Sequence, residues 1–141
     1  MTTPVRFAYA HPDASRAEGS LLAYVPITLR HNTSVLTVTG LLDTGSTVNV
    51  LPYPLGLQLG FVWEQQTTRV HLTGSLASLP ARGVIVSGQV ASFPPVVLAF
   101  AWTQATDVPM ILGQVNFFME FDVCFFRSHA AFEITPKGKG N

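Results

Sequence analysis

Val38-Thr39-Gly40-Leu41-Leu42-Asp43-Thr44-Gly45-Ser46-Thr47-Val48-Asn49-Val50-Leu51 carries the strongest signal in this chain. An apolar strand runs up to a carboxylate, turns through a glycine, and a second apolar run follows. A carboxylate buried without partners is costly, so such a group usually serves as a ligand, an ion-pair partner or a catalyst. Around Asp43 the sequence offers hydroxyls and backbone amides but no nearby cation. That combination points to acid/base chemistry.

The flanking segments read as strands. Val35 to Thr39 alternates apolar with polar, and Leu22 to Leu29 is rich in branched and aromatic residues. His31-Asn32-Thr33-Ser34 breaks the pattern between them, so the two runs form a hairpin that delivers Asp43 to its turn. Residues 51–60 are punctuated by Pro and Gly and have room for at most a short helical turn. Val70 to Leu76 and Arg82 to Val90 read as strands with a glycine-bearing connection, and Val96 to Trp102 as a strand buried on both faces. Val115 to Met119 is the best helix candidate. Asp122 to Phe126 and Ala130 to Thr135 read as a last hairpin around Arg127-Ser128-His129. Residues 1–20 are expected to be a flexible N-terminal arm, 21–135 one domain, and 136–141 a disordered tail. The class is all-β with one short C-terminal helix.

Composition narrows the functional classes. A chain of 141 residues fits one domain, which at that size buries roughly 68% of its unfolded surface. Eight basic and eight acidic side chains cancel, whereas nucleic acid and anionic membranes call for a basic excess. Charged residues make up 11% and hydrophobic ones 48%, against about 25% charged in an ordinary domain. Surplus apolar surface of this kind asks for a partner, and an obligate oligomer interface supplies one. The apolar stretch Phe93 to Trp102 carries two prolines and is too short to span a bilayer. No secretory signal is visible at the N-terminus, and the lone Cys124 excludes an internal disulfide, so a cytoplasmic location is expected.

Leu41-Leu42-Asp43-Thr44-Gly45-Ser46, followed much later by Ile111-Leu112-Gly113 and a short helix, resembles the retropepsin-like aspartic proteases. A glycine-bearing hairpin around Gly74 stands where that family carries its flap. The resemblance covers roughly residues 21–135 and implies a closed, orthogonally packed β-barrel with the fold of a single-domain, bacterial-type member. It implies Asp43 as the catalytic residue, with Thr44, Gly45, Ser46, Ile111, Leu112 and Gly113 supporting the site. Thr73, Gly74, Ser75 and Leu76 would cover substrate, with Leu76, Ile85, Val108 and Ile111 as apolar walls. Ser46 would donate its hydroxyl to Asp43. No cofactor and no metal is implied. The family usually has arginine where Gln114 stands, which leaves the dimer geometry open.

One chain supplies one Asp-Thr-Gly, and the other acids sit in no comparable turn. The resemblance therefore implies a homodimeric endopeptidase acting on protein or peptide, with one Asp43 from each subunit on a two-fold axis. Two alternatives stand beside it: a catalytically weak dimerisation or peptide-binding module of the same fold, and a plain β domain whose Asp43 caps its own turn. His11, His31, His71 and His129 are scattered away from metal-ligand spacing. Cys124, between Val123 and Phe125, reads as a small buried hydrophobe.

Overall fold

A computed structural model describes residues 2–11 and 21–138. Ten strands and two short helices follow one another: β1 Val5–Ala8, β2 Tyr24–His31, β3 Ser34–Leu42, β4 Asn49–Leu51, α1 Tyr53–Gln58, β5 Arg69–Val70, β6 Ala81–Gln89, β7 Val96–Thr103, β8 Ile111–Leu112, α2 Phe117–Glu120, β9 Phe121–Phe126 and β10 Ala131–Pro136. The β2–β3 hairpin forms as its alternation dictates. Its tight turn is made by Asn32, one of the few residue types at ease at a φ of 53°.

The main sheet runs β2-β3-β8-β4-β7-β6-β5 and closes on itself through β2–β6 pairing, which makes a six-stranded barrel. β6 serves two neighbours along one edge. Arg82 and Ala81 pair with β5 at one end, while Ser87, Gly88 and Gln89 pair with β2 at the other. A second sheet, β1-β10-β9, lies beside the barrel. The all-β barrel expected from sequence is thus present.

Trp102, near the end of β7, is fully buried in the main core. Its indole N–H donates to the Tyr53 carbonyl at 3.1 Å, Tyr53 stacks on it at 5.4 Å, and Trp63 meets it edge-on at 5.3 Å. Helix α1 lies flat on this ring because Gly56 presents no side chain there; an added Cβ would overlap the indole. Gly56→Ala should therefore destabilise the fold by about 2–3 kcal/mol through overpacking. Urea unfolding checks this, and a midpoint equal to the parent's would refute it.

Several sequence expectations need correction. The segment 51–60 holds a six-residue helix, so the described residues carry two helices rather than one. Residues 5–8 of the expected arm form β1, paired to β10 from Val5↔Ile134 to Ala8↔Ala131; residues 12–20 of the arm and 139–141 of the tail lie outside the described residues. Pro136 of the tail ends β10, and Lys137 is tied back by its N–H to the Glu120 carbonyl at 2.9 Å and by an ion pair to the Glu120 carboxylate at 3.1 Å. The strand expected over 70–76 stops at Val70, because Gly74 takes a φ of +67° and starts a 3-10 turn over Gly74–Leu76. β7 is buried only in its second half, and Val97 is open to solvent. Cys124 is exposed. Val123 and Phe125 turn to the core side of β9, and strand alternation sends Cys124 to the other face.

Candidate active site

Two strand ends build the site. β3 and β8 run parallel with Leu41 opposite Ile111 and Leu42 opposite Leu112. Beyond them the segments 43–48 and 113–116 lace together through backbone bonds. Asp43 N–H donates to the Leu112 carbonyl at 3.0 Å, Gln114 N–H to Ser46 at 2.9 Å, and Val115 N–H to Thr47 at 3.0 Å. The position of Asp43 is therefore set by main chain on both sides, which holds a side chain far more firmly than a free loop does.

The Asp43 carboxylate accepts the Gly45 N–H on Oδ1 at 2.9 Å. Oδ2 has no hydrogen-bond partner among the described residues, and the side chain is half-exposed. Gly45 leaves the carboxylate room: a Cβ there would press on Oδ1 at 3.3 Å. Thr44 is exposed at the tip of the turn, and its carbonyl accepts the Gln114 side-chain amide at 2.8 Å. The residue that departs from the family pattern is thus a strut for the Asp43 turn.

Ser46 does something other than the sequence led us to expect. Its hydroxyl donates to the Val48 carbonyl at 2.7 Å, which uses its one hydrogen and leaves none for Asp43. Gly113 is buried directly beneath the turn. A Cβ there would overlap the Val48 carbonyl oxygen and crowd that of Ser46 at 2.8 Å.

A fully buried amide, Asn49, ties these pieces together, and sequence reasoning missed it. Its Oδ1 accepts the Gly113 N–H at 2.8 Å, and its Nδ2 donates to the Ala99 carbonyl at 2.9 Å and to Asn116 Oδ1 at 3.2 Å. Asn116 accepts the Ala99 N–H at 3.0 Å and donates to the Val97 carbonyl at 2.8 Å. The available signal was a lone amide inside the apolar run Val48-Asn49-Val50. A buried polar side chain persists only when it is bonded.

Of the residues expected to cover substrate, Thr73, Gly74 and Ser75 are exposed on the β5–β6 connection. Leu76 packs with Ile111, Val48 and Val70 against a small cluster of Val50, Leu72, Ala81 and Ala101. The connection thus lies against the wall formed by β4 and β8. Ile85 and Val108 do not join them. Ile85 borders an apolar hollow of about 270 Å³ shared with Val48, Val70 and Val115, and Val108 borders another beside Thr39 and Met110. Tyr24, opposite Leu41 in the register, has its phenol pKa pushed up by burial.

No family model matches the sequence, and no curated protein matches it. Among solved structures, the chain is similar to a retropepsin-like aspartic protease from Rickettsia conorii, with a TM-score of 0.64 over 94% of this chain and 99% of that one, at 11% identity. The fold is retropepsin-like. A second similar structure, EIAV protease complexed with the inhibitor HBY-793, gives a TM-score of 0.48 at 18% identity, over 66% of this chain and 82% of that one. Within the retropepsin-like fold, the joint of β3 and β8 brings together Asp43, Thr44, Gly45, Ser46, Ile111, Leu112 and Gly113. No helix among the described residues is long and apolar enough to cross a membrane.

Proposed function

We propose that this chain is an aspartic endopeptidase that hydrolyses peptide bonds as a homodimer, with water activated between two Asp43 carboxyls. The observation that carries the proposal is Asp43 itself. Main-chain bonds fix it, one oxygen is committed to Gly45 N–H, and the other has no hydrogen-bond partner among the described residues. Two carboxyls meeting ~3 Å apart would repel by about 5 kcal/mol at an effective dielectric of ~20, so they would hold one proton between them. The ionised member takes a proton from water while the protonated member donates to the peptide carbonyl. Leu76 and Ile111 beside this point favour extended substrates with apolar side chains. The lone cysteine suits a cytoplasmic setting.

The test is cleavage of a peptide library at mildly acidic pH, with and without a statine-type inhibitor that mimics the tetrahedral intermediate. Cleavage should occur and the inhibitor should stop it. A site shared between two chains also makes rate depend on concentration. Well below the dimer dissociation constant, 10-fold dilution should lower the rate about 100-fold, by mass action. A rate strictly proportional to chain concentration throughout would count against a shared site.

A further inference from the structure

β5 and β6 put two arginines face to face. Arg69 stands directly opposite Arg82 in their antiparallel register, which sets the two Cβ atoms about 4.5–5.5 Å apart. Like charges so placed repel, and an acid beside them would relieve the strain. None does. Among the described residues neither arginine forms an ion pair, although exposed Glu64 directly follows Trp63, the ring beneath Arg82. Arg82 is held in place: its Nη1 donates to the Gln66 carbonyl at 2.9 Å, and its guanidinium lies 5.3 Å from the Trp63 ring centre. A guanidinium carries five N–H donors, so four of Arg82's and all of Arg69's have no protein partner among the described residues. With His71 and Ser78 the two arginines line a hollow of about 380 Å³ that no described acidic residue borders. Val70 joins this hollow to the neighbourhood of Asp43. It borders the hollow and packs against the same small cluster as Leu76, Val48 and Ile111.

We propose that this hollow binds a carboxylate side chain of the peptide substrate, at a position remote from the scissile bond. The inference deepens the peptidase reading above and rests on it. A carboxylate in the hollow accepts charge-assisted bonds from both arginines and cancels the repulsion between them. Along the sheet, β4, β7 and β6 lie between β8 and β5. Four inter-strand steps of about 4.8 Å make a path of about 19 Å, which roughly five or six extended residues span. The Asp43 pair sits on a two-fold axis, so the dimer offers one such hollow toward each end of the peptide. The substrates are therefore apolar at the centre and acidic toward the ends.

Binding is measured without turnover, on full-length Asp43→Asn. The probes are two fluorescein-labelled peptides identical in an apolar centre, one carrying glutamate toward both ends and the other glutamine. Anisotropy at low salt should show the glutamate peptide bound about 10-fold more tightly, with the gap closing as added salt screens it. Arg69→Glu, at an exposed position whose side chain makes no bond among the described residues, should abolish the preference. Arg82→Gln should do the same, and Arg69→Lys, which keeps the charge, should retain it. Equal affinity for the two peptides overturns the acid subsite, as does binding of neither, or a preference that survives Arg69→Glu. Cleavage of the same peptides by the parent separates the two ideas. Cleavage of both with equal kcat/KM keeps the protease and removes the subsite, whereas preferred binding of the glutamate peptide with no cleavage of either does the reverse.

Discussion

Asp43→Asn abolishes peptide cleavage while leaving the fold intact: the expected fall in kcat is about 10⁴-fold, the upper range for loss of a positioned acid/base group. The substitution is informative because asparagine keeps the turn. Its Oδ1 still accepts the Gly45 N–H now bonded at 2.9 Å, and the backbone bond from Asp43 N–H to Leu112 is untouched. What disappears is the second oxygen's ability to take and give a proton. If Asp43 merely capped its own turn, the variant would behave like the parent in every assay. The two roles are thereby split by one atom. Melting temperature should move little, and undiminished cleavage by the variant would remove Asp43 from the chemistry.

The largest structural effect is expected at Asn49. Asn49→Leu deletes three hydrogen bonds: it strands the buried Gly113 N–H and takes a donor from the Ala99 carbonyl and from Asn116 Oδ1. Each buried group left unpaired costs about 1–3 kcal/mol, so the total should reach about 3–5 kcal/mol. That is a large share of the 5–15 kcal/mol typical of a whole domain. Asn116→Ala should cost less, because Asn116 is only half-buried and water can replace part of what it loses. Chemical denaturation of both variants gives the comparison. Equal stability of Asn49→Leu and parent would mean that the amide is not the tie between the two segments.

Much of the barrel could be read directly from residue order. The alternation over β3, the Asn32 turn and the β6 run are local signals, and the structure follows them. Other features were visible but under-read. Pro52 and Pro54 open α1, and Gly60 closes it at a φ of +87°, with Phe61 N–H bonding back to Gly56 at 3.0 Å. Proline at the start and glycine past the end is a helix signature even when the helix is short. Val5, Phe7 and Tyr9 alternate with Arg6 and Ala8, yet four residues flanked by polar sequence give too weak a period to separate a strand from an arm.

The site divides in the same way. Asp43, Gly45 and Gly113 announce themselves by chemistry and by the geometry that only glycine permits. The roles of Ser46, Gln114 and Asn49 depend on which carbonyls the fold brings within reach, and no local pattern encodes that. Cys124 was misjudged for a related reason. Its apolar neighbours implied burial, but inside or outside on an edge strand depends on phase, fixed here by the pairing of Phe125 with Phe132.

The union of β1 with β10 has a consequence for biogenesis. The Arg6–Glu133 ion pair at 2.9 Å spans 127 positions. At about 5–20 residues per second of synthesis, the earliest strand waits roughly 6–25 s for its mate to leave the ribosome. Through that interval its edge is unprotected, so nascent chains stalled before β10 should be the species that chaperones hold and proteases remove.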